Sequence, residues 1–291
     1  MYLAEALQQA LIDRDEPAVT DYELYRLGLS LVRDGQYAGV KIKRVPDGWD
    51  LRRSRAAQNR LVERQVIASD QDFRSGVWRV VQATGSGSAE EAACIADPFC
   101  YVSHLSAMQR YGLTDRSPEA AHLTTPARSV WNALRDAKVE REIDTDVEYP
   151  PLLRVRFRER LRRRPVILHE TIHPATPFPI AGERARIASI GRTFADMLSE
   201  PSLSGGIHHV MEVWEEHAEA WLEQIIAEID ETSRKIVKVR AGYLLDEHLG
   251  ISDPRIRAWR RFAQRGGSQK LDPDTPYVPR FSESWMLSIN V

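Results

Sequence analysis

The stretch "HETIH", residues 169–173, fits H-E-x-x-H. In that pattern two histidines one helical turn apart hold zinc, and the glutamate activates a bound water. His169 and His173 would be the ligands and Glu170 the base. The chemistry requires a helix, because only there do residues i and i+4 share a face. The flanks predict a strand instead. Pro165 opens the β-rich run "VILH", and Pro174, Pro177 and Pro179 follow at once. Pro174 drives His173 toward extended backbone. In a strand the two histidines face one side and Glu170 the other, which parts the base from its metal. Glu183, Asp196 and His208 are the remaining candidates for a third ligand, and none stands out. The expectation is a strand with polar side chains, no metal and no cofactor.

Other catalytic patterns are missing. "SGSG" and "SGG" lack the Gly-Lys-Ser/Thr or GxGxxG frame of a phosphate loop. His208 and His209 read as polar residues where a helix begins. Cys94 and Cys100, the only cysteines, match no zinc or redox spacing. Reduced thiols in a cytoplasmic protein are the simplest expectation. No Ser-His-Asp order and no paired carboxylates can be picked out.

A different chemistry is concentrated in residues 41–64, "KIKRVPDGWDLRRSRAAQNRLVER". Lys41, Lys43, Arg44, Arg52, Arg53, Arg55, Arg60 and Arg64 face only Asp47, Asp50 and Glu63. Phosphates are met by long cationic side chains along one face. Base edges are met by Arg, Asn and Gln, which Arg55, Gln58, Asn59 and Arg60 supply. The blander reading is a solvated helix face. The surrounding elements favour duplex DNA. Leu3, Ala6, Leu7, Ala10 and Leu11 recur at helical spacing. So do Leu24, Leu27, Leu31 and Val32 after a cap at Thr20 or Asp21. A third helix is predicted from Leu51 to Arg64, with Asp50 as cap and Ala56, Ala57, Leu61 and Val62 inside. "VIAS" and "GVWRVVQ" flank "DQDFRS" as a hairpin that places Arg74 in its turn. Three helices and a hairpin are the layout of a winged helix-turn-helix, with the basic helix entering the groove and Arg74 on the wing.

The 291 residues hold one large domain or two to three small ones, and 43% hydrophobic content suffices for a core. Forty basic residues against 42 acidic ones give a net charge of −2, which neither marks nor excludes a nucleic-acid binder. No run reaches the apolar length of a membrane span, and the opening residues do not read as a secretion signal. "ATGSGSAEE", residues 83–91, reads as a linker between domains at 1–82 and 92–291. The fold class expected is α+β: the winged helix-turn-helix, then a larger mixed α/β domain with a helical C-terminal part. In that part Ser103 caps a helix through Tyr111 and "AHLTT" reads as a strand. "LLRVRFRERLRRRPVILHETIHP" reads as two strands around an arginine-rich turn, with Arg154, Arg156 and Arg158 alternating with Val155 and Phe157. The run from Arg154 to Arg164 is either a solvated strand pair or a surface for RNA or an acidic partner. Helices are predicted over 184–198, 208–231 and up to Leu249, and over "SDPRIRAWRRFAQRGG" with Asp253 as cap and Gly266 past the end. "WMLSINV" reads as a closing strand.

Four segments carry a family resemblance. "YVSHLSAMQRYGLTDR", "IGRTFADMLSEPSLSGGIHHVMEVW", "VRAGYLLDEHLG" and "FSESWMLSIN" resemble, in order, the AbiEi-like antitoxins of abortive-infection toxin–antitoxin systems. The resemblance covers about residues 100 to 291. It implies a non-enzymatic, cytoplasmic phage-defence protein. Its N-terminal winged helix would bind operator repeats and repress its own operon. Its C-terminal domain would neutralise a nucleotidyltransferase-type toxin. The stretch "KIKRVPDGWDLRR" is longer than the family pattern has before the third helix. The competing reading is a stand-alone transcriptional regulator whose second domain senses a ligand or partner.

Overall fold

The structure, a computed structural model, describes residues 1–143, 147–152, 154, 159–264 and 269–291. The first eighty residues alternate helix and strand: α1 (Leu3–Arg14), β1 (Ala18–Thr20), α2 (Asp21–Asp34), β2 (Gln36–Tyr37), β3 (Val40–Lys41), α3 (Leu51–Glu63), β4 (Ile67–Ser69) and β5 (Val77–Val80). The caps predicted from sequence at Thr20 and Asp50 form, whereas Ser103, expected to cap the helix that follows it, makes no side-chain cap bond. The Thr20 hydroxyl accepts the Glu23 N–H at 3.1 Å, and the Asp50 carboxylate accepts the Arg53 N–H at 2.7 Å. The expected β4–β5 hairpin pairs Ile67 with Val80 and Ser69 with Trp78. β1 adds to the other side of β5, making a three-stranded antiparallel sheet that periodicity over three residues could not reveal. β2 and β3 form a second, very short hairpin turned by Ala38 and Gly39, both at positive φ. The inner side of α3 is Ser54, Ala57 and Leu61. Ala56 and Val62, expected inside, are exposed, because the buried stripe of this short helix is only three residues wide.

The chain continues through α4 (Ala89–Ala96), β6 (Tyr101–Val102), α5 (His104–Arg110), β7 (Ala121–Pro126), α6 (Arg128–Glu142), β8 (Arg160–Leu161), β9 (Arg164–Thr171), β10 (Phe178–Pro179) and β11 (Arg186–Ile187). Six of these strands hydrogen-bond in the order β10-β11-β6-β7-β9-β8. "HETIH" begins inside β9, as the prolines require, and is not helical. The alternation expected at Val155, Arg156, Phe157 and Arg158 lies outside the described residues.

Then come α7 (Ile190–Ser199), α8 (Ile207–His217), α9 (Leu222–Glu231), α10 (Lys235–Gly242), which runs on into a π-helical turn at Tyr243–His248, and α11 (Pro254–Ala258). A last hairpin joins β12 (Phe281–Ser282) to β13 (Leu287–Ser288). Two expectations change here. The helix predicted from 184 starts only at Ile190, because Ser189 caps it and Arg186–Ile187 is a strand. The single helix predicted over 208–231 is two, broken at 218–221, where the sequence holds neither Gly nor Pro. Gly266 lies outside the described residues.

Two compact units emerge. The first comprises Met1–Tyr101, Thr124–Pro174 and Pro179–Arg186, and the second Val102–Leu123, Ala175–Phe178 and Ile187–Val291. The division therefore does not fall at 83–91. That stretch is held within the first unit: Thr84 bonds to Asp15, Gly87 packs on Pro17, and Ser88 opens α4 in a reciprocal capping box with Glu91. Nor are residues 1–82 a complete unit, since Trp131, Val139 and Leu152 fill the same core as Leu7, Tyr22, Tyr25, Trp49 and Leu61. The second unit has its own core, in which Phe194 stacks edge-on against Trp214.

Candidate nucleic-acid interface

The basic residues singled out from sequence fall into three places within the first unit. Arg52, Arg55 and Asn59 are three and four residues apart on α3, so they share a face, and all three are exposed on the side away from Ser54, Ala57 and Leu61. Arg60 borders them, also exposed. Among the described residues, none of these four side chains has an ion-pair or hydrogen-bond partner. Lys41 ends β3, while Lys43 and Arg44 follow it in an exposed strip. The Lys43 N–H donates to the Met1 carbonyl at 2.8 Å, which ties that strip to the start of α1. Arg74 is exposed in the β4–β5 loop.

Two of the predicted contacts are turned to internal use. The Gln58 amide donates to Asp21 Oδ1 at 2.6 Å, and the Trp78 indole N–H donates to the same oxygen at 2.7 Å. The Asp21 N–H in turn donates to Gly76 O at 3.1 Å. One residue at the start of α2 thus joins α3 and β5 through its carboxylate and the β4–β5 loop through its backbone N–H. Arg53 is likewise occupied, donating to Gly48 O at 2.9 Å and lying 3.7 Å from Asp50. Gln58 and Arg53 therefore position α3, and the free donors on it are Arg52, Arg55, Asn59 and Arg60.

The long segment before α3 is anchored from beneath. Trp49 is buried, its indole N–H donates to Tyr25 O at 3.0 Å, and the Tyr25 hydroxyl donates to Trp49 O at 3.2 Å. Its ring lies on Gly28, where a Cβ would stand 2.2 Å from Trp49 Cζ2. α6 closes over α2 through Glu142, which accepts from the Tyr22 hydroxyl at 3.1 Å and pairs with Arg26 at 3.1 Å. Burial, helped by the Glu142 charge, pushes the Tyr22 phenol well above its ordinary range.

Among the described residues of the arginine-rich run, three arginines are committed within the protein. Arg154 pairs with Glu170 at 2.7 Å, Arg164 with the buried Glu90 at 2.6 Å, and Arg162 with Asp70 and Asp72 at 2.8 and 2.5 Å. Burial works against the charged form of Arg162, but the bonds and charges of the two aspartates outweigh it and leave its pKa above the ordinary value. Arg160 and Arg163 remain exposed. Cys94 and Cys100 are buried free thiols, and the Cys94 thiol points at Cys100 O at 3.3 Å. Among the described residues no group of three or more His, Cys, Asp or Glu side chains could hold a metal ion, and no helix is long and apolar enough to cross a membrane.

No family model matches the chain, and no curated protein matches it. Among solved structures, it is similar to the crystal structure of the RV2827C protein from Mycobacterium tuberculosis, with a TM-score of 0.49 and 12% identity over 98% of this chain and 90% of that one. A likeness at this level bears on neither the activity nor the partners of the chain.

Proposed function

We propose that the chain is a DNA-binding antitoxin that represses its own operon. In this reading α1, α2, α3 and the β1-β5-β4 sheet make a winged helix-turn-helix, with α3 in the major groove and the β4–β5 loop as wing. The observation that carries it is the stripe of Arg52, Arg55 and Asn59, solvent-facing and unpartnered, on a helix fixed by its Asp50 cap, by Trp49 beneath its start and by the Gln58–Asp21 bond. Arginine and asparagine are the side chains that read guanine and adenine edges in that groove. Lys41, Lys43, Arg44, Arg60 and Arg74 take phosphates. The antitoxin role rests on the resemblance over residues 100 to 291, which makes the partner a nucleotidyltransferase-type toxin and the chain a binding protein rather than a catalyst.

The test has two arms on the full-length chain. A duplex from upstream of its own gene should be shifted. If about five phosphates are contacted, log affinity should fall against log salt with a slope of about −4 to −5. Arg52→Ala, Arg55→Ala and Asn59→Ala together should abolish the specific shift. Co-expression with the neighbouring gene should restore growth that the neighbour alone arrests. A triple variant that binds as the parent does refutes the groove assignment. A neighbour that is harmless alone, or lethal regardless of this chain, refutes the antitoxin role.

A further inference from the structure

The turn between β8 and β9 is built from residues its backbone does not favour. Arg162 and Arg163 have φ of +51° and +65°, the left-handed region in which two-residue hairpin turns prefer Asn-Gly. The reason for arginine at 162 lies in its side chain. Nε donates to Ser86 O at 2.7 Å. The guanidinium forks onto Asp70, to Oδ1 at 3.1 Å and Oδ2 at 2.8 Å, and reaches Asp72 Oδ2 at 2.5 Å. The Arg162 backbone N–H also donates to Asp72, at 2.9 Å. Asp70 is 4% exposed, and both aspartates belong to the β4–β5 loop that presents Arg74. Without Arg162 that loop would hold two acids against one base. A phosphate approaching Arg74 would meet net negative charge, and the buried Asp70 would be short of its ion pair.

We propose that Arg162 is a positioning residue for DNA binding: it neutralises Asp70 and Asp72 and fixes the β4–β5 loop so that Arg74 reaches a backbone phosphate. This rests on the DNA reading above. It makes the β8–β9 hairpin part of the DNA-binding apparatus.

The experiment measures binding of the full-length chain to the upstream duplex across a salt series, with thermal melts in parallel. Arg162→Gly deletes the fork while suiting the turn. Arg162→Lys keeps the charge but cannot make the bidentate contact. Arg74→Ala should flatten the salt slope by about 1 and weaken binding about five-fold at 0.15 M salt, the value of one phosphate contact. Arg162→Gly should do the same, Arg162→Lys should lose part of it, and Arg162→Gly with Arg74→Ala should lose less than the product of the two single losses, because the positioning of Arg74 can be lost only once. A parental slope in Arg162→Gly, or losses that multiply in the double variant, overturns the proposal. If Arg162→Gly does not fold, the same comparison between Arg162→Lys and its Arg74→Ala double variant decides. Should the parent chain bind no DNA at any salt, the DNA reading itself fails. Should only the α3 triple variant lose binding, that reading stands and the role of Arg162 falls.

Discussion

Gly28→Ala separates the close approach at α2 from ordinary helix energetics. In an open helix the change would stabilise by about 1 kcal/mol, the propensity difference between the two residues. Here the new Cβ would lie 2.2 Å from Trp49 Cζ2 and 2.5 Å from Cε2, against an ordinary carbon contact of about 3.5–4.0 Å. The indole must retreat by more than about 1 Å to regain that contact. Overpacking of this kind costs about 1–3 kcal/mol. The retreat also stretches the 3.0 Å bond from the indole to Tyr25 O, which contributes about 1 kcal/mol. The propensity gain offsets part of this, leaving a net destabilisation of about 1–3 kcal/mol. Urea denaturation would read it as a lower midpoint at unchanged slope. Because Trp49 adjoins Asp50, the cap of α3, the DNA affinity proposed above should fall as well. In a Trp49→Ala background the same substitution should become stabilising. A Gly28→Ala chain more stable than its parent, or an effect unchanged in the Trp49→Ala background, would refute the reasoning.

Asp21→Ala strands the Gln58 and Trp78 donors and should lower stability by about 1–3 kcal/mol, whereas Asp21→Asn, which keeps an acceptor, should cost less. Glu228 has its pKa raised, by burial foremost, so folding disfavours its ionised form; Glu228→Gln should raise the melting temperature at pH 7. The sign follows from linkage: the gain is fully present above the folded pKa and disappears as pH falls below the ordinary carboxylate value. Zinc added in excess should not shift the melting temperature, since β9 sets His169 and Glu170 on opposite faces; one tightly bound zinc per chain by elemental analysis would contradict this.

The local grammar was legible in the sequence. Thr20, Asp50 and Asp253 cap the helices they were expected to cap, and the prolines around "HETIH" excluded a zinc helix. These signals act over three or four residues, where chain geometry alone decides. What was missed acts at a distance. Arg162 and Asp70 are 92 residues apart, and nothing in either neighbourhood names the other. Trp131 joins a core begun at Ala6. "ATGSGSAEE" has the composition of a linker, yet Thr84, Gly87 and Ser88 are tied by partners that composition cannot reveal. The basic cluster was found because charge is counted directly, but its division into free and occupied side chains depended on Asp21 and Gly48.

The first unit takes its chain from three separate stretches ending at Arg186, and this bears on when the protein can act during its own synthesis. Ribosomes add about 5–20 residues per second, so Arg162 follows Asp70, 92 residues earlier, by roughly 5–20 s. Throughout that interval the β4–β5 loop carries two acids against one base and the early core lacks Trp131. The N-terminal helices emerge first but are completed late. A message truncated between these points would yield an unfinished fold rather than a smaller working domain.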